Sequence, residues 1–321
     1  MDRRSGWALA LLAAACFGTS GVFAASLMDA GWTAGAAVTA RVAVAAVALV
    51  PLAVFQLRGR WSLLVRNAPL VLAFGLVAVA GCQLAYFLAV SRLSVGVALL
   101  LEYSGVVLVV LWTWLRGSQP SRTTLVGVGI AVLGLFLVLD VVRGARVDAL
   151  GVMWGLIAAV GLATFYVISA RSDDGALPPL VTAWAGMVVG AATLALAAVV
   201  GLLPWAAATS DVVLAGRRTS WLVPVLGLAL VAAALAYAAG VAAVQRLGSR
   251  LASFVGLTEV LFAVVVAWLV LGEQPTVAQG VGAVVVLAGI VLVKLGEPPD
   301  VEDLAVDPVG VAPSAPGAPR G

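Results

Sequence analysis

Apolar runs of about 20 residues follow one another along this chain, separated only by short clusters of glycine, proline and charge. That is the helix length needed to cross roughly 30 Å of hydrocarbon. Hydrophobic residues make up 63% of the sequence and charged residues only 10%, against about 25% charged in ordinary soluble domains. A water-soluble fold could not hide so much apolar surface. The chain reads as an all-α polytopic membrane protein whose first partner is the lipid bilayer.

Hydropathy, with breaks at glycine, proline and charge, predicts ten transmembrane helices at about 6–28, 33–57, 69–90, 93–115, 122–140, 149–170, 179–203, 221–244, 249–271 and 277–295. The turn near Arg92 is the least marked division, because Pro69–Leu115 is apolar almost throughout. Arg3-Arg4 ahead of an apolar run imitates a signal peptide, but Trp7–Met28 is too long for its hydrophobic region and reads as a first span. Residues 297–321, rich in Pro and Ala, have little to bury and are expected to be disordered. With the N-terminus inside, eleven Lys and Arg side chains fall on the cytoplasmic side and five outside (Arg92, Arg143, Arg146, Arg217 and Arg218). The bias predicts a multi-pass plasma-membrane protein with both termini cytoplasmic.

An internal repeat organises the spans. Ala89-Val90-Ser91-Arg92-Leu93 returns as Ala243-Val244-Gln245-Arg246-Leu247, offset by 154, and Gln119-Pro120 returns as Gln274-Pro275, offset by 155. Five spans per copy is an odd number, so the second copy enters the membrane from the opposite side. The expected division is 1–145 and 146–296, two inverted five-helix repeats. Inverted repeats are an architecture of secondary transporters, with substrate held between them near the midplane.

Two carboxylates interrupt the spans, Glu102 in the fourth and Glu259 in the ninth. A carboxylate at that depth costs about 2.5–3.5 kcal/mol on insertion scales, so it faces a partner or a wet cavity. Arg41 lies about eight residues into the second span, roughly 12 Å, and Glu102 about nine into the fourth, roughly 13 Å. The shared level predicts an Arg41–Glu102 pair, either a fold-locking salt bridge or part of a cavity that meets the ends of a zwitterionic solute. Glu259, roughly 15 Å deep, has no cation on neighbouring segments. An unpaired carboxyl in low dielectric takes up a proton, so Glu259 reads either as the proton-coupling group or as a permanently protonated interhelical donor. Gln83 and Tyr86 share a helix face, Tyr103 and Ser104 follow Glu102, Thr258 precedes Glu259, and Thr164 and Tyr166 lie in the sixth span. Each is a cavity candidate or interhelical glue. Trp7, Trp32, Trp61, Trp205 and Trp221, near span ends, read as interfacial anchors. Gly18, Gly21 and Ala25 read as a close-packing stripe, and Cys16 and Cys82 as small hydrophobes without a disulfide.

Other functions fit poorly. Gly18-Thr19-Ser20-Gly21 spells an intramembrane serine-protease motif, but the chain has no histidine to serve as base or metal ligand. No Walker A sequence, carbonyl filter or charged ring is present. No catalytic residues, cofactor, metal or nucleic-acid partner is expected, and the sequence is silent on whether the chain forms a homodimer.

From 6 to 295 the chain resembles the drug/metabolite transporter superfamily, specifically its EamA-domain members. Phe17-Gly18-Thr19-Ser20 is similar to that family's Trp-Gly-Thr/Ser element, Arg41 to its second-helix arginine, and Leu271-Gly272-Glu273 to its Leu-Gly-Glu helix end, followed by Gly280 and Gly289. Leu101-Glu102-Tyr103-Ser104-Gly105-Val106 is similar to a stretch of the threonine/homoserine exporter branch, and Thr258-Glu259-Val260 to the second repeat's Glu-Pro. Val106 and Val260 stand where those relatives carry proline, so bending here must differ. The resemblance implies a proton-coupled secondary transporter that exports amino acids or related small metabolites by alternating access. A channel-like or non-transporting membrane scaffold is the alternative.

Overall fold

The computed structural model describes residues 3–115, 117, 119–138, 148–169, 177–247 and 255–296. The expected division at 145/146 and the tail 297–321 fall outside them. Helices α1 (Arg3–Gly18) and α2 (Ser20–Asp29) form the first apolar run, and α3 (Ala34–Leu57) the second. After a short α4 (Ser62–Arg66), the third run is α5 (Ala68–Ala73), a π-helical stretch Phe74–Gly81 and α6 (Cys82–Val90). The fourth is α7 (Val95–Tyr103) and α8 (Gly105–Leu115), followed by α9 (Arg122–Val138), α10 (Ala149–Ser169) and α11 (Pro179–Val199). A hairpin, β1 (Val212–Leu214) and β2 (Arg217–Thr219), precedes α12 (Leu222–Leu226), a second π-helical stretch Gly227–Leu235 and α13 (Ala236–Leu247). Two more helices close the described chain, α14 (Thr258–Leu271) and α15 (Val277–Gly296). Among the described residues, six helical runs are long and apolar enough to cross a membrane, and four shorter apolar helices fall at the expected fifth, sixth, ninth and tenth runs.

The repeat is visible in packing as well as in sequence. The two π-helical stretches lie 153 to 154 residues apart, so both copies place the same irregularity in their third run. Helices α9 and α15 are repeat-equivalent and pack through Gly127, Gly134, Gly282 and Gly289, which correspond at an offset of 155. A Cβ on Gly127 would lie 2.7 Å from Gly289 O, and one on Gly134 would lie 3.0 Å from Gly282 O. These are mirrored contacts between antiparallel helices, so a pseudo-two-fold axis passes between them. The same symmetry appears at Gly6, packed on Leu247 and Arg246, and at Gly151, packed on Leu93 and Arg92.

Among the described residues, two runs break at a hydroxyl residue, Thr19 and Ser104, and a third breaks at Leu257, just before Thr258. Thr19 Oγ1 donates to Cys16 O at 2.7 Å, Ser104 Oγ to Leu101 O at 2.6 Å, and Thr258 Oγ1 to Val255 O at 2.6 Å. Each hydroxyl occupies a carbonyl three residues back, in competition with the helical ladder. Ser104 and Thr258 are 154 residues apart, so these two breaks are repeat-equivalent. The helix interruptions near Val106 and Val260 thus coincide with side-chain hydroxyl bonds and involve no proline.

One end of the bundle carries the long connection after α11. Its hairpin turns at Ala215-Gly216, with φ values of 51° and 72°, a two-residue turn whose left-handed geometry matches strand twist. Trp32 is not an interfacial anchor: it is buried beneath this connection and donates through Nε1 to Ala208 O at 2.7 Å. Nearby, Asp148 caps α10, accepting from Gly151 N at 2.9 Å and pairing with Arg92 at 3.3 Å. The Gly151 amide holds the Asp148 carboxyl below the usual range; desolvation opposes it, and the Arg92 hydrogen bond and charge add to the lowering.

Two outcomes follow from this packing. Gly289→Ala would drive a Cβ to 2.4 Å from Ala131 N, costing about 1–3 kcal/mol. Gly280→Ala, with nothing within 4 Å, should leave the unfolding midpoint in detergent unchanged. Because the folded Asp148 pKa is depressed, its contribution is present above the unfolded value of about 3.9 and is lost as pH falls through the folded value. Asp148→Ala should therefore lower thermal stability at pH 7 and converge with the wild type in acid, a difference that melts at the two pH values would measure.

Candidate functional site

Arg41 projects from α3 into the interior and is only 4% exposed. Its Nη1 donates to Gln83 Oε1 on α6, and its Nη2 donates to Ala232 O at 3.0 Å. Ala232 lies in the second π-helical stretch, so the guanidinium bonds to backbone at a local irregularity of the helix. Its Cζ also sits 5.8 Å from the centre of the Phe87 ring, within cation–π range.

The expected Arg41–Glu102 pair is not formed: no direct contact within 4.0 Å joins them. Equal depth did not mean a shared direction. Glu102 on α7 faces α6 and α10, where Cys82 Sγ lies 3.3 Å from Glu102 Oε1 and 3.3 Å from Ala158 O. Cys82 is thus a hydrogen-bonding neighbour of the carboxyl as well as a small core residue. Glu259 has no ion pair among the described residues either, but it accepts from Tyr103 Oη at 2.8 Å. That bond joins α7 to α14 beside their equivalent breaks.

The remaining candidates divide. Ser104 and Thr258 use their hydroxyls at the breaks, and Thr164 Oγ1 returns to Val160 O at 2.9 Å within its own helix. The side chain of Tyr166 falls outside the described residues. Tyr86 lies in the cluster, close enough to Arg41, Glu102 and Glu259 to feel their charges. So does Tyr237, which the sequence reading missed although it stands 154 residues after Gln83. Its ring meets Phe17 edge-on at 5.1 Å. Gly18 brings α1 against α14: a Cβ there would lie 2.9 Å from Ala263 N and 3.1 Å from Glu259 O.

The cluster is asymmetric. Val38-Thr39-Ala40-Arg41 corresponds to Val181-Thr182-Ala183-Trp184 at an offset of 143, so tryptophan replaces the arginine in the second copy. The Trp184 indole N–H is buried and has no hydrogen-bond partner among the described residues. A cavity of about 450 Å³ opens at the hairpin end, between Asp29, Trp32, Leu88 and Leu203. Arg41, Glu102 and Glu259 do not line it.

A charged cluster where helices of two repeats meet is a feature to weigh against known proteins. The EamA-like transporter family matches this chain twice, over residues 4–140 and 149–295. The chain belongs to the EamA-like transporter family. An uncharacterized transporter of Archaeoglobus fulgidus is 25% identical over 207 residues, covering 64% of this chain and 70% of that protein. A solved crystal structure aligns with a TM-score of 0.57 at 19% identity, over 92% of this chain and 98% of that one, a likeness of fold. Family and apolar helices together make this a multi-pass membrane transporter of small solutes.

The observed partners set a direct check. Arg41→Ala and Gln83→Ala should be non-additive in unfolding free energy, with a coupling of about 0.5–3 kcal/mol. The Arg41→Ala and Glu102→Gln pair should couple less, and the two double-mutant cycles, measured by thermal unfolding in detergent, compare them.

Proposed function

We propose that this protein is a proton-coupled secondary transporter that exports amino acids or related small metabolites across the plasma membrane. Ten membrane crossings, cytoplasmic termini and alternating access between two inverted repeats complete the reading. The Tyr103–Glu259 bond carries it, since it ties together the equivalent broken helices of the two copies at 2.8 Å. An ionised Glu259 accepts from the Tyr103 hydroxyl. A protonated Glu259 can donate instead, and the hydroxyl must then turn. Proton uptake thus rewrites a contact across the repeat boundary, and a change in that contact biases how the two halves meet.

Arg41, Glu102 and Glu259 supply one positive and two acidic groups around a common interior, a charge pattern suited to the ammonium and carboxylate ends of an amino acid.

Reconstitution in proteoliposomes with an imposed pH gradient tests the coupling. Wild-type protein should concentrate a radiolabelled amino acid, identified from a panel, against its gradient. Glu259→Gln should retain exchange of that solute but lose pH-driven accumulation. Undiminished accumulation by Glu259→Gln would make the carboxyl structural and end the coupling assignment.

A further inference from the structure

We propose that Glu273 is the latch that shuts the solute path at the hairpin end, its carboxylate reaching from the second repeat to cap α7 in the first. The assignment rests on the alternating-access reading above and names the bond that must break for the path to open at that end.

Helix α14 stops at Gly272, whose left-handed φ of 74° turns the chain aside, and Glu273 follows directly. Its Oε2 accepts from Val95 N at 3.0 Å, across 178 residues of sequence. Val95 is the first residue of α7, where a helix leaves its amides without internal partners. Ser94, in the capping position, makes no side-chain bond to that turn. The other repeat therefore supplies the cap, and a carboxylate is the charge that a helix N-terminus favours. The bond fastens one end of a seam. The same two helices are joined again at Tyr103–Glu259, at 2.8 Å. Between the two bonds they press together, since a Cβ on Gly96 would lie 2.8 Å from Val264 Cγ2.

The surroundings of Glu273 also let it release. A cavity of about 120 Å³, bounded by Ser94, Leu100, Ala267, Glu273 and Gln279, lies beside the bond and gives the side chain room to swing. Asp29, which lines the larger hairpin-end cavity, acts on Glu273 with like charge and places the bond at that end. Burial pushes the Glu273 carboxyl above the usual range, the Val95 amide pulls it back, and Asp29 adds to the rise. Among the described residues no cation pairs with it; Arg92, just before α7, is engaged with Asp148 at 3.3 Å. The ionised carboxylate is thus held by one bond and opposed by its setting. Only one copy carries it. At the offset that relates Gln119-Pro120 to Gln274-Pro275, Ser118 stands where Glu273 stands, so the sequence offers no matching carboxylate for the opposite mouth.

The test reads the distance across the seam. Nitroxides are attached at Ser91→Cys and Gln274→Cys, both exposed positions, with the buried Cys16 and Cys82 changed to Ala in every sample. Pulsed electron resonance then records the distances on the full chain in nanodiscs. Glu273→Ala should move the population from a shorter distance to a longer one. The open-to-shut ratio should rise about tenfold or more, the size of one hydrogen bond to a charged group. Glu273→Gln, which keeps an acceptor oxygen and loses the charge, should open the seam less. Suppose instead that Glu273→Ala lowers the unfolding midpoint and keeps the distances of the Glu273 protein, while an added amino acid still lengthens them. The bond is then a helix cap only: the latch is overturned and the transporter reading stands. If neither variant nor any added amino acid lengthens the distance, alternating access at this end is overturned, and the latch with it.

Discussion

In hydrocarbon, every backbone N–H and C=O must find its partner within the protein. Among the described residues, this chain departs from regular α-helix at three breaks and in two π-helical stretches. Thr19, Ser104 and Thr258 answer with hydroxyl bonds to carbonyls three residues back. Arg41 answers at Ala232, inside the second π-helical stretch. The polar cluster is therefore not set into a finished helical scaffold. The same irregularities that need polar side chains bring those side chains together.

Two kinds of contact hold the repeats against each other, and they have different mechanical character. Along α9 and α15, glycines allow backbone to meet backbone, with Gly289 seated against Ala131 and Gly127. Such seams leave no slack, and a methyl group is enough to force them apart. At the centre, the contacts are side-chain hydrogen bonds such as Tyr103–Glu259, which can be exchanged for others at little cost. Close packing keeps the frame, and the exchangeable side-chain bonds lie at its centre.

Much of the frame was legible in the sequence because hydropathy and repeat spacing are one-dimensional signals. Six of the expected runs return as helices long enough to span, shorter apolar helices stand at the other four, and Arg92 and Arg246 gave the offset that the π-helical stretches and helix breaks later obeyed. The pairing of Arg41 with Glu102 was not legible: depth follows from counting residues, but direction around a helix axis depends on neighbours. Gln83 and the Ala232 carbonyl claimed the guanidinium first. Glu259's link to Tyr103 was hidden for the same reason, as contacts between two broken helices cannot be counted along either one. Tyr237 was readable, since the offset from Gln83 points to it. Trp32 was misjudged because proximity to a span end says nothing about a loop that folds over it. The hairpin escaped notice because each strand has three residues and its Ala-Gly turn is a weak signal.

The replacement of Arg41 by Trp184 in the second copy has a consequence for energy balance. A machine made of two identical, oppositely oriented halves would be degenerate, with its two mirror-related shapes equally populated at rest. A lone guanidinium on one side, engaged with the other half through the Ala232 carbonyl, lifts that degeneracy. On the alternating-access reading proposed above, that asymmetry, together with Gln83 standing opposite Tyr237, gives the two halves different weights at rest while the frame keeps its symmetry.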